Sequence, residues 1–356
     1  AFAGSQVRVS RVSPSTEGIV QANSAQVRAV GWRWAQPLGW VLQALLSFRW
    51  GRVLPEGAAT VVYSGFYAPL AVHGQRTGRR VYYGHTVPRF AYDLRDHYRA
   101  QYPWFLRPLF DVFTWGLRGM YRRALLRMDV WVVNSDNVRL RLQRHLGLEA
   151  KVVHPPVDVA RFAWLADGDY FVSTARLEPL KRVDVLVQAF LRMPHERLVV
   201  CSGGSELARL QALAAGAANI SFTGWTDETQ MAEILGRARA SLYVPVDEDF
   251  GMSPVESMAA GKPVIGVAEG GLLETVVDGE TGLLLRPGFD ASDVCAAVQT
   301  MTPSRAQSMR QACEALRAEG VSAPSDDFNV MTARALPRPE VAVVTGPMHL
   351  PARGLL

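Results

Sequence analysis

A chain of 356 residues has room for two domains, each with its own core. Hydrophobic residues at 49% and charged residues at 20% exclude a disordered or low-complexity chain and describe an ordinary globular one. The net charge of +5 rests almost wholly on arginine, since Lys151, Lys181 and Lys262 are the only lysines; genome composition explains it, and so does an anionic partner such as a membrane surface or a phosphorylated substrate.

Residues 1–30 show no clear period, and no strand precedes Ala3-Gly4-Ser5. Leu38 to Leu46 follow helical spacing among Trp32, Trp34, Trp40 and Trp50. Thr60–Ser64 and Arg80–Gly84 read as strands rich in Val and Tyr, separated by the loop Gly65–Pro69. His85 then stands just past the C-terminal end of a parallel strand, where open α/β sheets bind ligands, and Arg89 follows closely. A loop histidine without a role is the plain alternative.

Between residues 98 and 128, Tyr98, Tyr102, Trp104, Phe105, Phe110, Phe113, Trp115 and Tyr121 interleave with Arg99, Arg107, Arg118, Arg122, Arg123 and Arg127. Aromatic rings bury well at a headgroup boundary, and arginine is drawn to anionic lipid. A surface helix whose apolar stripe joins the core accounts for the same residues, although the aromatics are too many for one narrow stripe. Val130–Asn134 is a buried-type strand; Ser135 caps a helix through about Leu146, and Gly147 closes it. After a strand at Lys151–Val153, His154–Asp158 breaks structure as an interdomain crossover should. The expected domains are therefore 1–157 and 158–320, with 321–356 a weakly patterned tail punctuated by Ala323-Pro324-Ser325 and Pro337-Arg338-Pro339.

Tyr170–Ala175 opens the second domain as a strand, followed by Arg176-Leu177-Glu178-Pro179-Leu180-Lys181 and a helix with Val183, Leu186, Val187 and Phe190 on one face. Strands at Leu198–Ser202, Ile220–Phe222, Ser241–Val244, Pro263–Val267 and Gly282–Leu285 alternate with helices near 205–215, 228–238, 254–260, 271–277 and 291–300. That alternation demands an α/β fold with a parallel sheet covered on both faces.

The stretch 241–261 concentrates the chemistry. The strand feeds the acidic loop Asp247-Glu248-Asp249, then Phe250-Gly251-Met252 and a helix start. Ser253 is placed at the N-cap, Pro254 at the first helical position and Glu256 at the third, so Ser253-x-x-Glu256 reads as a capping box. A helix N-terminus offers free N–H groups to a phosphate. Carboxylates such as Glu248 and Glu256 each grip a vicinal diol. Together they suit a nucleotide sugar. Glu256 has capping as its plain alternative; Glu248, in a loop, has none. Arg176 and Lys181 lie past a strand end and reach a diphosphate, one as a planar fork and the other as a point charge, unless they are solvated surface charges. Gly203-Gly204 and Gly270-Gly271 each follow a strand, but no Gly-x-Gly-x-x-Gly fingerprint supports a dinucleotide site. Cys201, Cys295 and Cys313 show no metal spacing and point to a reducing compartment. No apolar run reaches transmembrane length and no secretory signal is visible; the chain opens at Ala1, not Met, which leaves room for a preceding segment.

Glu248 and Glu256, with seven residues between them, resemble the Glu-x7-Glu motif of retaining glycosyltransferases of family 4. The resemblance continues through Gly261-Lys262-Pro263-Val264-Ile265, Glu269-Gly270-Gly271, Glu274 and Asp278-Gly279-Glu280-Thr281-Gly282. It is dense over 170–290, weaker over 80–160 and hard to trace before 55, where the family's opening strand and glycine-rich loop are not recognisable. Gly84-His85-Thr86-Val87-Pro88-Arg89 is similar to a segment of the subgroup containing O-antigen mannosyltransferases. The resemblance implies a GT-B fold of two doubly wound Rossmann-like domains facing each other across a cleft. It implies transfer of a hexose, with mannose from GDP-mannose as first candidate, to a polyprenyl-diphosphate-linked or polysaccharide-precursor acceptor with retention of configuration. Glu248, His85, Arg176 and Lys181 would be catalytic. Arg176, Lys181, Gly203, Phe250, Gly251, Met252, Ser253 and Glu256 would bind the donor, while His85 and Arg89 face the acceptor. Neither metal nor cofactor is expected. The implied place is cytoplasmic, peripheral on the inner face of an anionic membrane, with no nucleic-acid partner. The competing readings are a nucleotide-sugar epimerase of the same architecture and a non-catalytic membrane-associated component of a glycan-assembly complex.

Overall fold

The computed structural model describes residues 6–9, 26–30, 40–51, 53–54, 57–319 and 341–345. Ala3-Gly4-Ser5, Leu38 and the two proline-containing segments of the expected tail lie outside them. The described strands, in chain order, are β1 (Gln6–Val9), β2 (Gln26–Ala29), β3 (Thr60–Ser64), β4 (Arg79–Gly84), β5 (Val130–Val133), β6 (Lys151–Val152), β7 (Tyr170–Ser173), β8 (Arg197–Cys201), β9 (Ile220–Gly224), β10 (Ala240–Tyr243), β11 (Val264–Val267), β12 (Gly282–Leu285) and β13 (Val341–Thr345). They form two sheets, ordered β2-β1-β13-β3-β4-β5-β6 and β12-β11-β10-β7-β8-β9. Every paired neighbour in both sheets runs parallel.

Two compact units result: Ala1–Val153 with Asp327–Leu356, and His154–Asp326. In the first, all five residues of β3 are buried, as a parallel strand covered on both faces requires. Ser135 caps the helix Asp136–Leu146 through Val138 N–H at 3.1 Å, and Gly147 ends it at φ 68°. In the second, Val183, Leu186, Val187 and Phe190 on the helix Val183–Leu191 are buried in the core, the face that the spacing predicts.

Two expectations are corrected, and one further element is present. Residues 1–30, read as patternless, contain β1 and β2; each alternates polar and apolar residues, but over four residues only, too short a stretch to stand out. The expected tail holds β13, which is inserted between β1 and β3; its five residues carry no sign of which sheet they join. A helix not anticipated, Pro303–Glu319, follows Ala291–Thr300.

Candidate active site

The second sheet changes direction of connection in its middle. From β7 the chain moves outward through β8 and β9, then returns to β10 on the other side of β7. Loops leaving the C-terminal ends of β7 and β10 therefore part at a topological switch point, where doubly wound sheets hold ligands. Lys181 follows β7 and Glu248 follows β10, and their side chains meet there: Lys181 Nζ lies 2.5 Å from Glu248 Oε2 and 3.0 Å from the Tyr243 hydroxyl. Burial works against the Lys181 ammonium, but Tyr243 and Glu248 outweigh it and hold its pKa above the ordinary lysine value. Burial, with the Glu248 charge, raises the Tyr243 phenol, which stays protonated.

The loops around this pair are stitched together by Arg182, which sequence reasoning did not single out, and by Glu269, which it named only within a motif. The Arg182 guanidinium holds the Glu269 carboxylate at 3.2 and 3.1 Å and donates to the carbonyls of Val244 and Pro245 at 2.7 and 2.5 Å. Val246 N–H donates to Leu180 O at 2.8 Å, and Asp247 N–H to Glu269 Oε2 at 3.2 Å. Arg182 and Asp247 take left-handed backbone angles, φ 51° and 43°, uncommon for residues with a Cβ. The signal in the sequence is an arginine directly after Lys181 and an acid just past β11, which become partners only once β7, β10 and β11 are neighbours.

Gly270-Gly271 has a packing reason. A Cβ on Gly270 would stand 2.4 Å from Glu248 O, and one on Gly271 2.6 Å from Phe250 Cα. Gly271 N–H donates to Glu248 O at 2.7 Å, so the glycines set the position of the acidic loop. At Gly203, a Cβ would meet the Trp225 indole at 2.2 Å; its carbonyl accepts from Leu177 N–H at 3.0 Å, beside Arg176. Arg176 is half-buried and makes no ion pair among the described residues.

The capping box at Ser253 is not present. The helix runs Met252–Ala259, with Gly251 at the N-cap in the left-handed region, φ 93°. Gly251 makes the chain reversal itself, so the helix starts ahead of Ser253, which lies in the first turn with Pro254. Glu256 is buried on that helix. Phe250 is buried too, its ring 5.2 Å from that of His154.

His85 and Arg89 belong to the first unit. His85 follows β4, its ring edge-on to Tyr83 at 5.0 Å, and burial lowers its pKa so that the imidazole is neutral near neutral pH. Arg89 Nε lies 2.9 Å from Asp93, which also stands 3.5 Å from the buried Arg141; Arg141 in turn donates to Thr86 at 2.8 Å. The His85–Arg89 loop is thus anchored at Thr86 and Asp93.

Residues 158–315 match the family of glycosyl transferases group 1. A D-inositol 3-phosphate glycosyltransferase of Mycobacterium leprae (strain Br4923) is 33% identical over 180 residues, 44% of this chain and 42% of the relative. The chain spans less than half the length of the curated relatives it matches. Among solved structures, sucrose-phosphate synthase from Thermosynechococcus elongatus superposes with a TM-score of 0.69 at 18% identity, covering 93% of this chain and 100% of that one. Anabaena HepE in complex with UDP and glucose gives 0.69 at 13% identity, covering 93% and 99%. The α/β fold, two parallel-sheet Rossmann-like units, is that of GT-B glycosyltransferase structures. The group 1 segment contains Arg176, Lys181, Glu248 and Glu256, but neither His85 nor Arg89.

Proposed function

We propose that this chain is a retaining hexosyltransferase that uses a nucleoside-diphosphate sugar. The observation carrying the proposal is the Lys181–Glu248 pair across the β7/β10 switch point, on a loop that runs straight into the helix N-terminus at Met252. A cation, a carboxylate and free helical N–H groups in one place match a diphosphate joined to a polyhydroxylated ring. In the proposed reaction an acceptor hydroxyl oxygen bonds to the anomeric carbon while the bond from that carbon to the diphosphate oxygen breaks. The departing diphosphate takes the hydroxyl proton on the same face. Arg176 and Lys181 stabilise the charge that develops on it. Glu248 orients the transferred sugar and Glu256 grips the ribose diol.

The subgroup resemblance favours GDP-mannose as donor, whereas the Anabaena neighbour holds UDP and glucose. The acceptor proposed is a polyprenyl-diphosphate-linked glycan on the cytoplasmic face of the membrane. The test incubates the chain with GDP-mannose or UDP-glucose, with and without that acceptor, and follows free nucleoside diphosphate and the product's anomeric configuration. Acceptor-dependent release of one nucleotide, lost by about a hundredfold in a Glu248→Ala variant that still folds cooperatively, is expected. Release from neither donor, or retained turnover in Glu248→Ala, would sink the proposal.

A further inference from the structure

The helix Arg107–Leu125 has two faces. Phe110, Leu117, Tyr121 and Ala124 are buried, which accounts for the core half of its apolar residues. The other face is exposed and large: Trp104 at 79%, Leu109 at 67%, Val112 at 65% and Trp115 at 78%. Leu109, Val112 and Trp115 recur every three residues, so they form one ridge, which Trp104 and Phe105 extend at its start.

Past Trp115 the same face changes character. Gly119, Arg122 and Arg123 succeed the ridge, and the surface opens into a groove of about 550 Å³. Arg118, Arg122, Arg123 and Arg144 line it, and among the described residues none of them makes an ion pair. Asp111, the acid on this helix, is taken by Arg95 at 2.6 Å and Arg99 at 2.9 Å. Asp93, the acid facing His145, is held by Arg89 and Arg141. Arg118 is fixed over the Tyr92 ring at 5.2 Å, with its Nε donating to Ala91 O.

Two further details mark the groove as built. Among the described residues the Tyr92 hydroxyl and His145 Nε2 are buried without a hydrogen-bond partner, and both residues line it. Such groups are costly to leave unmet. Gly116 and Gly119 also line it, and a Cβ on either would meet nothing within 4 Å. Packing does not require these helix-weakening glycines; what they leave is the space.

We propose that the groove holds the phosphate of an anionic membrane lipid, with the Trp104–Trp115 ridge seated at the headgroup–acyl boundary. Charge complementarity and the ridge's continuity with the groove commit it to a lipid in a membrane: a free phosphate would have no use for five exposed apolar side chains. Arg122, Arg123 and Arg144 supply donors in the fork geometry that phosphate accepts, and Trp115 joins the two halves. The proposal does not depend on sugar transfer and is tested without it.

The experiment is co-sedimentation of the full chain with phosphatidylcholine vesicles, with and without phosphatidylglycerol. Binding to the anionic vesicles, falling as salt rises, is expected. Arg122→Gln with Arg123→Gln should weaken it about tenfold. Trp115→Ser should do the same on the apolar side. Gly119→Leu is the decisive variant. It fills the groove, keeps every charge and favours the helix, and it should also weaken binding by about tenfold with an unchanged melting temperature. Full binding by Gly119→Leu would mean diffuse surface charge and no headgroup site. Equal binding to neutral vesicles, or binding of inorganic phosphate with no vesicle binding, would equally overturn the proposal.

Discussion

Lys181 and Glu248 satisfy each other, so an arriving diphosphate has to compete with a carboxylate for the same ammonium. Arg176 has no such rival among the described residues. The two cations should therefore respond differently to removal. Arg176→Ala loses a charge-assisted contact and should weaken nucleoside-diphosphate binding by about tenfold, while nucleoside binding barely changes. Lys181→Ala should lose more, because it also takes the cation away from the Glu248 carboxylate, which then repels the diphosphate. Adding Glu248→Ala to Lys181→Ala should restore part of that affinity. Calorimetric titration of the two single variants and the double one reads this directly; additive losses would mean that the pair is not coupled. Glu256 is the other residue whose meaning has sharpened. With the helix beginning at Met252, a Ser253-x-x-Glu256 capping box does not account for it. Glu256→Gln exchanges one accepting oxygen for a donating amide, so one ribose hydroxyl loses its partner at roughly 1–3 kcal/mol. Wild type should prefer the ribonucleotide donor over its deoxyribose form by about one to two decades, and the variant should not. An unchanged preference would move the diol contact elsewhere.

At the scale of elements, Lys262 shows how a motif residue can be structural. It ends the turn after Met252–Ala259, is fully buried, donates from Nζ to Ala166 O at 2.6 Å and lies 3.2 Å above the Trp164 ring centre. Burial pushes its pKa down to about 8, Asp167 acting against the shift and Arg310 adding to it. Between about pH 8 and the ordinary lysine value of 10.5, the unfolded chain holds a proton that the folded chain has lost. This residue therefore makes stability rise with pH across that window, by on the order of 3 kcal/mol in all, and carries its full penalty below it. Lys262→Met should remove that rise, measured as the difference in urea unfolding free energy between about pH 7 and about pH 10. A rise of the same size in the variant would dismiss the assignment. The elements that were legible are those with a local cause. Strands β10 and β11 are buried at every residue and β7 at all but its first, as mostly apolar strands covered on both faces are, and the Asp136–Leu146 helix carries its own cap and stop. Where the cause is conformational, reading fails. Gly251 turns the chain, and Pro254 is tolerated as the third helical residue because the first N–H groups of a helix have no internal partner. Ser253-x-x-Glu256 therefore has the letters of a cap without the geometry. Where the cause is distant it fails as well: Arg182 and Glu269 are 87 positions apart, and no local pattern pairs them.

At the scale of the molecule, the first unit is discontinuous. Strand β13 pairs with β1 on one side and β3 on the other, so β1 and β2 reach the rest of their sheet only through it. The second unit, His154–Asp326, is continuous. Expressed alone, a fragment of residues 154–326 should melt cooperatively, whereas 1–153 should not. A peptide spanning 337–350 should restore a cooperative transition to 1–153, detected by circular dichroism. Cooperative melting of 1–153 without the peptide would show that β13 is dispensable.

That arrangement also sets a timetable for the chain as it leaves the ribosome. Thr60 is synthesised long before Val341, its register partner in the sheet. Domains fold as units during synthesis, usually from the N-terminus onward. Here the first unit emerges early yet lacks a central strand, while the second has all it needs by the time residue 326 is made. The second unit is then the first to fold, and the nascent first unit waits with the edges of β1 and β3 open to any passing strand. An open edge of that kind is what holding chaperones cover and what aggregation uses. The yield of native protein should thus depend on how fast translation closes the gap between Asp326 and Val341.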